Sequence, residues 1–92
     1  MSPHNPTVRF GDLIRQRREQ LGLSQTEVAR RVGIGSPEFI GMVEVGKRPI
    51  PLDRVPRLAA VLELSGPDLC KLALSERHPV LYHALFEGEA AT

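Results

Sequence analysis

At 92 residues and 41% apolar content, with one Tyr, three Phe and no Trp, the chain suits one domain with a core of aliphatic side chains. The lack of any long apolar run excludes a membrane-spanning helix, Met1 to Arg9 lacks the apolar centre of a signal peptide, and lone Cys70 excludes an internal disulfide, so a cytoplasmic protein is expected. A net charge of +1 neither favours nor excludes a polyanionic partner.

Met1 to Thr7 carries two prolines and no periodicity, and residues 1–9 read as a flexible arm. From Phe10 the apolar residues Phe10, Leu13, Ile14 and Leu21 recur at helical spacing, with Arg15, Gln16 and Glu19 on the other side; Gly22 ends that helix. Ser24 and Glu27 form an S-x-x-E capping box, which starts a second helix at Gln25 that buries Val28, Ala29 and Val32 and stops at Gly33. Ser36 is placed to cap a third helix with Pro37 in its first position, Ile40 and Val43 facing inward, and an end near Gly46. Pro49-Ile50-Pro51 reads as an extended connector. A fourth helix carries Val55, Leu58, Ala59 and Leu62 inward, and Pro56 requires that it start late or bend. Gly66-Pro67-Asp68 opens a fifth helix with Leu69, Leu72 and Ala73. His78-Pro79 breaks it, Val80 to Phe86 predicts a further short helix, and Gly88 to Thr92 a disordered tail. No segment alternates with a two-residue period, so no sheet is expected.

Two short capped helices joined by a glycine-containing turn, with basic Lys47-Arg48 behind the second, make the arrangement of a helix-turn-helix. The charge distribution is asymmetric. Residues 1–57 hold ten Arg or Lys against six acids, whereas residues 58–92 hold two against five. Such a split suits a basic face for an anionic partner, although an ordinary solvated surface produces it too.

Residues 10–72 resemble the Cro/repressor-like, xenobiotic-response-element type of helix-turn-helix domain. The resemblance rests on Leu21-Gly22-Leu23-Ser24-Gln25, Val28-Ala29, Val32-Gly33-Ile34, the run Ile40 to Arg48 with Glu44-x-Gly46-Lys47-Arg48, Leu58-Ala59-x-x-Leu62, and Leu69. It implies an all-α, five-helix repressor-like domain over residues 10–76, with a short C-terminal helical extension over 77–92. It also implies a transcriptional regulator, expected to be a repressor, that lays its third helix in the major groove of double-stranded DNA. Gln25, first in the second helix, resembles the residue that docks on phosphate, a role suited to a helix N-terminus. Arg18 and Glu44 resemble a buried ion pair that fixes orientation more than it adds stability. Lys47 and Arg48 stand where similar domains touch the phosphate backbone, and Arg9 is either part of an arm reaching round the duplex or without a role.

The third helix departs from that pattern. Groove-facing positions, commonly Gln, Ser, Thr, Arg or Asn in similar domains, are here Pro37, Glu38, Gly41 and Met42, with Ser36 before them and Phe39 beside them. Glu38 can accept from a cytosine amino group, and Met42 or Phe39 can touch a thymine methyl. Gly41 weakens the helix by roughly 1 kcal/mol relative to Ala yet permits close backbone approach. The alternative is a protein-interaction module on the same fold, such as an antitoxin or regulatory subunit.

His4, His78 and His83 are scattered, the last two off the spacing of a shared metal site. Cys70 reads as an interior helical residue, and the glycines stand singly at helix ends. A non-enzyme without metal or cofactor is therefore expected. The apolar Leu81, Tyr82, Leu85 and Phe86 lie beyond the part the resemblance covers. They are candidate homodimer contacts, with folding back over the monomer's own core as the alternative.

Overall fold

The computed structural model describes residues 9–87 of the chain. The expected arm, apart from Arg9, and the expected tail at 88–92 lie outside them. Helices α1 (Phe10–Gln20), α2 (Gln25–Val32), α3 (Pro37–Glu44), α4 (Val55–Val61), α5 (Gly66–Arg77) and α6 (Pro79–Tyr82) follow in order, and no strand occurs among the described residues. A single 3-10 turn, Leu52–Arg54, leads into α4, and α6 runs on into a π-helical segment, His83–Glu87.

Helix ends follow from local chemistry. The Ser24 hydroxyl accepts the Glu27 N–H at 3.0 Å, capping α2. The reciprocal half of the expected capping box does not form, because the Glu27 carboxylate instead takes Arg30 and Arg31 on its own helix. Ser36 occupies the N-cap position of α3, but its hydroxyl caps nothing; it donates to Glu38 Oε1 at 2.6 Å. Only the Ser36 backbone carbonyl takes a helix N–H, that of Phe39 at 3.2 Å. Pro56 stands in the first turn of α4, where a missing N–H loses no bond, so the helix starts late rather than bending. That helix then ends on Glu63, a non-glycine residue in the left-handed region with φ 57°, and the Leu64 N–H returns to the Ala59 carbonyl at 2.8 Å.

The expected apolar positions meet in one core. Ile14, Val28, Val32, Ile40, Val55, Leu58 and Leu62 are fully buried, with Phe10, Ala29, Val43, Leu69 and Ala73 around them. Leu13, Leu21 and Leu72 are partly buried against this cluster, and so is Cys70, which lies at its edge rather than inside. Ile50 is also fully buried. Its flanking prolines hold the connector extended, and the single side chain between them turns inward. In packing, α2 lies against α3 and α4, while α1 crosses α3 and α5.

Three polar contacts close the domain over long sequence distances. The first N–H of α1 has no cap of its own and donates to Glu76 of α5 at 2.7 Å. Arg17 Nε donates to the Leu62 carbonyl at 2.9 Å at the end of α4. Arg77, next to Glu76, donates to the Ile50 carbonyl. The last turn of α5 thus ties both the start of α1 and the connector after α3.

Candidate nucleic-acid interface

The α2–turn–α3 unit is held at its far end by a polar cluster. Arg18 of α1 grips Glu44 of α3 with two parallel bonds, Nε to Oε2 at 2.6 Å and Nη2 to Oε1 at 3.2 Å. Its Nη1 also donates to the Leu23 carbonyl at 3.0 Å. The Glu44 side chain is 2% exposed and that of Arg18 12%, so this is a buried, bidentate pair. Hydrogen bonding to Glu44 holds the Arg18 proton more tightly than usual. No buried side-chain nitrogen or oxygen among the described residues lacks a partner.

Gln25 belongs to the same cluster. Its Nε2 donates to Glu44 Oε1 at 3.1 Å, so the amide expected on phosphate is directed at the third helix. Gly41 fits beneath it: a Cβ at that position would lie 3.2 Å from Gln25 Nε2. The close approach that Gly41 permits is therefore the approach of α2 to α3. Phe39 likewise packs partly against the core, and Ser36 and Pro37 are half-buried.

The outward face of α3 is carried by fewer residues. Glu38 and Met42 are exposed one helical turn apart, and Val45, 64% exposed, follows at the helix end. The Ser36 hydroxyl and the backbone N–H of Glu38 itself hold the Glu38 carboxyl below the usual range, so it is ionised at neutral pH. Behind them Gly46, with φ 79°, turns the chain, and Lys47 N–H closes onto the Met42 carbonyl at 2.8 Å. This presents Lys47 and Arg48 as exposed cations, neither in an ion pair among the described residues.

A family model described as a helix-turn-helix domain matches residues 9–72, more than half of the chain. The chain belongs to the helix-turn-helix domain family. No curated protein and no solved structure matches it. A helix-turn-helix domain points to a DNA-binding regulator, and the matched segment spans α1 through most of α5.

Within the helix-turn-helix domain, the sequence did not single out Gly11. A Cβ there would stand 2.3 Å from the Glu44 carbonyl oxygen and 2.6 Å from that of Val43. Backbone of α1 therefore lies directly on backbone at the end of α3, next to the Arg18–Glu44 pair. The signal was available, since a glycine inside a helical pattern often marks a close backbone approach.

Beyond the helix-turn-helix domain, α6 and the π-helical segment pack along α5 but join no core. Tyr82 is half-buried and meets Phe86 in a tilted ring pair, 5.2 Å between centroids, and Lys71 Nζ of α5 stands 5.1 Å from the Phe86 centroid. Leu81 is 48% exposed, Leu85 50% and Phe86 41%. Arg9 is exposed at the start of α1 in extended backbone. No helix among the described residues is long and apolar enough to cross a membrane, and no cluster of His, Cys, Asp or Glu there could hold a metal ion.

Proposed function

We propose that this chain is a sequence-specific transcriptional regulator, a repressor, that lays α3 in the major groove of double-stranded DNA. The observation that carries this reading is the Arg18–Glu44–Gln25 cluster, which fixes α3 rigidly across α1 and α2 while Glu38 and Met42 remain exposed. Rigid placement of one helix is what groove docking demands. Lys47 and Arg48, in the loop behind α3, bind backbone phosphates, whereas Ser36, Pro37, Phe39 and Gly41 shape and support the entering helix. Base choice then falls on Glu38, which accepts from a cytosine amino group, and on Met42, which contacts a thymine methyl.

A homodimer completes the reading. One short helix reads few bases, and two copies on one face of the duplex would reach half-sites about 34 Å apart. Leu81, Leu85 and Phe86 supply an apolar strip for the two-fold contact, with Tyr82 supporting Phe86. A second reading, a protein-interaction module using the α3 face, is favoured by the exposed Met42 and Val45.

Genomic fragment selection followed by gel shift under competitor DNA tests the first reading. Lys47→Ala is expected to weaken binding to every sequence and lower the salt-dependence slope by about one unit, while leaving sequence preference alone. An absence of preference over competitor, with Lys47 and Arg48 replaceable at no cost, defeats it in favour of the protein-interaction reading. Sedimentation across micromolar concentrations, with and without Leu81→Ser and Leu85→Ser, tests the dimer.

A further inference from the structure

Arg54 and Arg57 take no part in the core and form no ion pair with any carboxylate among the described residues, although Asp53 is adjacent in sequence. Both guanidinium groups nevertheless converge on one point. Gly33, in the left-handed region with φ 82°, lacks a side chain, and the place a Cβ would occupy is 3.1 Å from Arg54 Nη1 and 3.9 Å from Arg57 Nη1. Arg54 Nη1 makes only a long bond, 3.4 Å, to the Val32 carbonyl at the end of α2. Arg30 and Arg31, by contrast, share the Glu27 carboxylate, which leaves one uncompensated positive charge between them against two at Arg54 and Arg57.

We infer that Arg54 and Arg57 form a paired guanidinium clamp for a backbone phosphate of duplex DNA, a contact separate from that of Lys47 and Arg48. The inference rests on the DNA-binding reading above. Its chemistry is that of guanidinium, whose planar fork matches phosphate oxygens and holds them with charge-assisted bonds. Two like charges brought to one point without an anion repel each other, and a phosphodiester between them removes that repulsion. The location agrees as well. Gly33 opens the turn that leads into α3, and Arg54 ends the 3-10 turn that follows the Lys47–Arg48 loop. Along the chain the pair thus flanks the segments assigned to the duplex, with Gly33 before α3 and Arg54 after the Lys47–Arg48 loop.

The test measures binding of the full chain to a labelled mixed-sequence duplex of about three helical turns by anisotropy, over a range of salt concentrations. The double variant Arg54→Gln/Arg57→Gln is compared with Lys47→Ala and with Arg15→Gln on the outer side of α1, and thermal melting confirms that each variant folds. The double variant is expected to lower the slope of log K against log salt by about one unit, as removal of one phosphate contact does. Arg15→Gln should leave that slope unchanged. A double variant that keeps the parental slope while Lys47→Ala loses a unit overturns the clamp and leaves the DNA reading standing. A double variant that loses about two units overturns the shared phosphate in favour of two separate contacts. A parental chain with no salt-dependent duplex binding overturns both the clamp and the DNA reading.

Discussion

The two faces of α3 are built on opposite principles. On the inner face Ile40, Val43 and Glu44 are buried, and Glu44 alone accepts from Arg18 and Gln25, on two other helices. On the outer face Glu38, Met42 and Val45 project to solvent, and the one side-chain bond there joins Glu38 to Ser36, two residues away. The inner face determines where the helix stands, and the outer face is left free to determine what it meets. A buried carboxylate shared by three helices leaves few alternative arrangements, because each would strand a charge away from water. Exposed residues carry no such constraint, which is why the atypical outer residues coexist with an ordinary fold.

The largest effect is expected at the centre of the inner face. Glu44→Ala leaves Arg18 buried without its partner and should cost about 3–5 kcal/mol in urea unfolding; a loss below about 1 kcal/mol, in the range of surface ion pairs, would break the contrast between the faces. Gly11→Ala comes next. Ala favours a helix over Gly, yet its Cβ meets carbonyl backbone that cannot swing aside, so a net destabilisation of about 1–3 kcal/mol is expected. A gain in melting temperature would show that α1 and α3 are less tightly fixed than their spacing implies.

On the outer face, Glu38→Gln and Met42→Ser should each change unfolding stability by no more than about 0.5 kcal/mol. Both should alter which duplex is preferred, as read by selection from a randomised DNA pool. A large stability loss at either position would make the outer face a second structural face. The smallest effect concerns protons. The Ser36 bond exists with the ionised carboxylate and keeps the Glu38 pKa low, so it persists above that lowered value and is lost as pH falls through it. Ser36→Ala should therefore move the Glu38 titration midpoint upward, as followed by carboxyl carbon NMR, with a small loss of stability at neutral pH that disappears as pH falls below the lowered value.

Much of this was legible along the chain. The periodic apolar residues of α1 to α5 were recognisable because helix-period burial depends on local sequence. The glycine ends at Gly22, Gly33 and Gly46 were likewise readable, since the left-handed region is open to them at little cost. Arg18 and Glu44 were paired by resemblance alone, and the structure supplies the geometry. Gln25 and Gly41 have a structural role that the sequence did not show. Each was considered as a residue facing outward, whereas the two face each other across α2 and α3. Ser36 was expected to cap α3 by accepting a backbone N–H, whereas its hydroxyl donates to the Glu38 carboxylate and accepts none.

The sequence by itself determined the all-helical fold, the order and most ends of its helices, and its inward apolar residues, because capping, helical period and left-handed turns are decided within a few residues. Only the tertiary structure decided that Gly11 lies on the carbonyls of Val43 and Glu44, that Glu76 caps a helix 66 positions away, and that Arg54 and Arg57 meet at Gly33. Those contacts join side chains and backbone from separate helices, and their distances exist only once the apolar core has set the helices at their final angles.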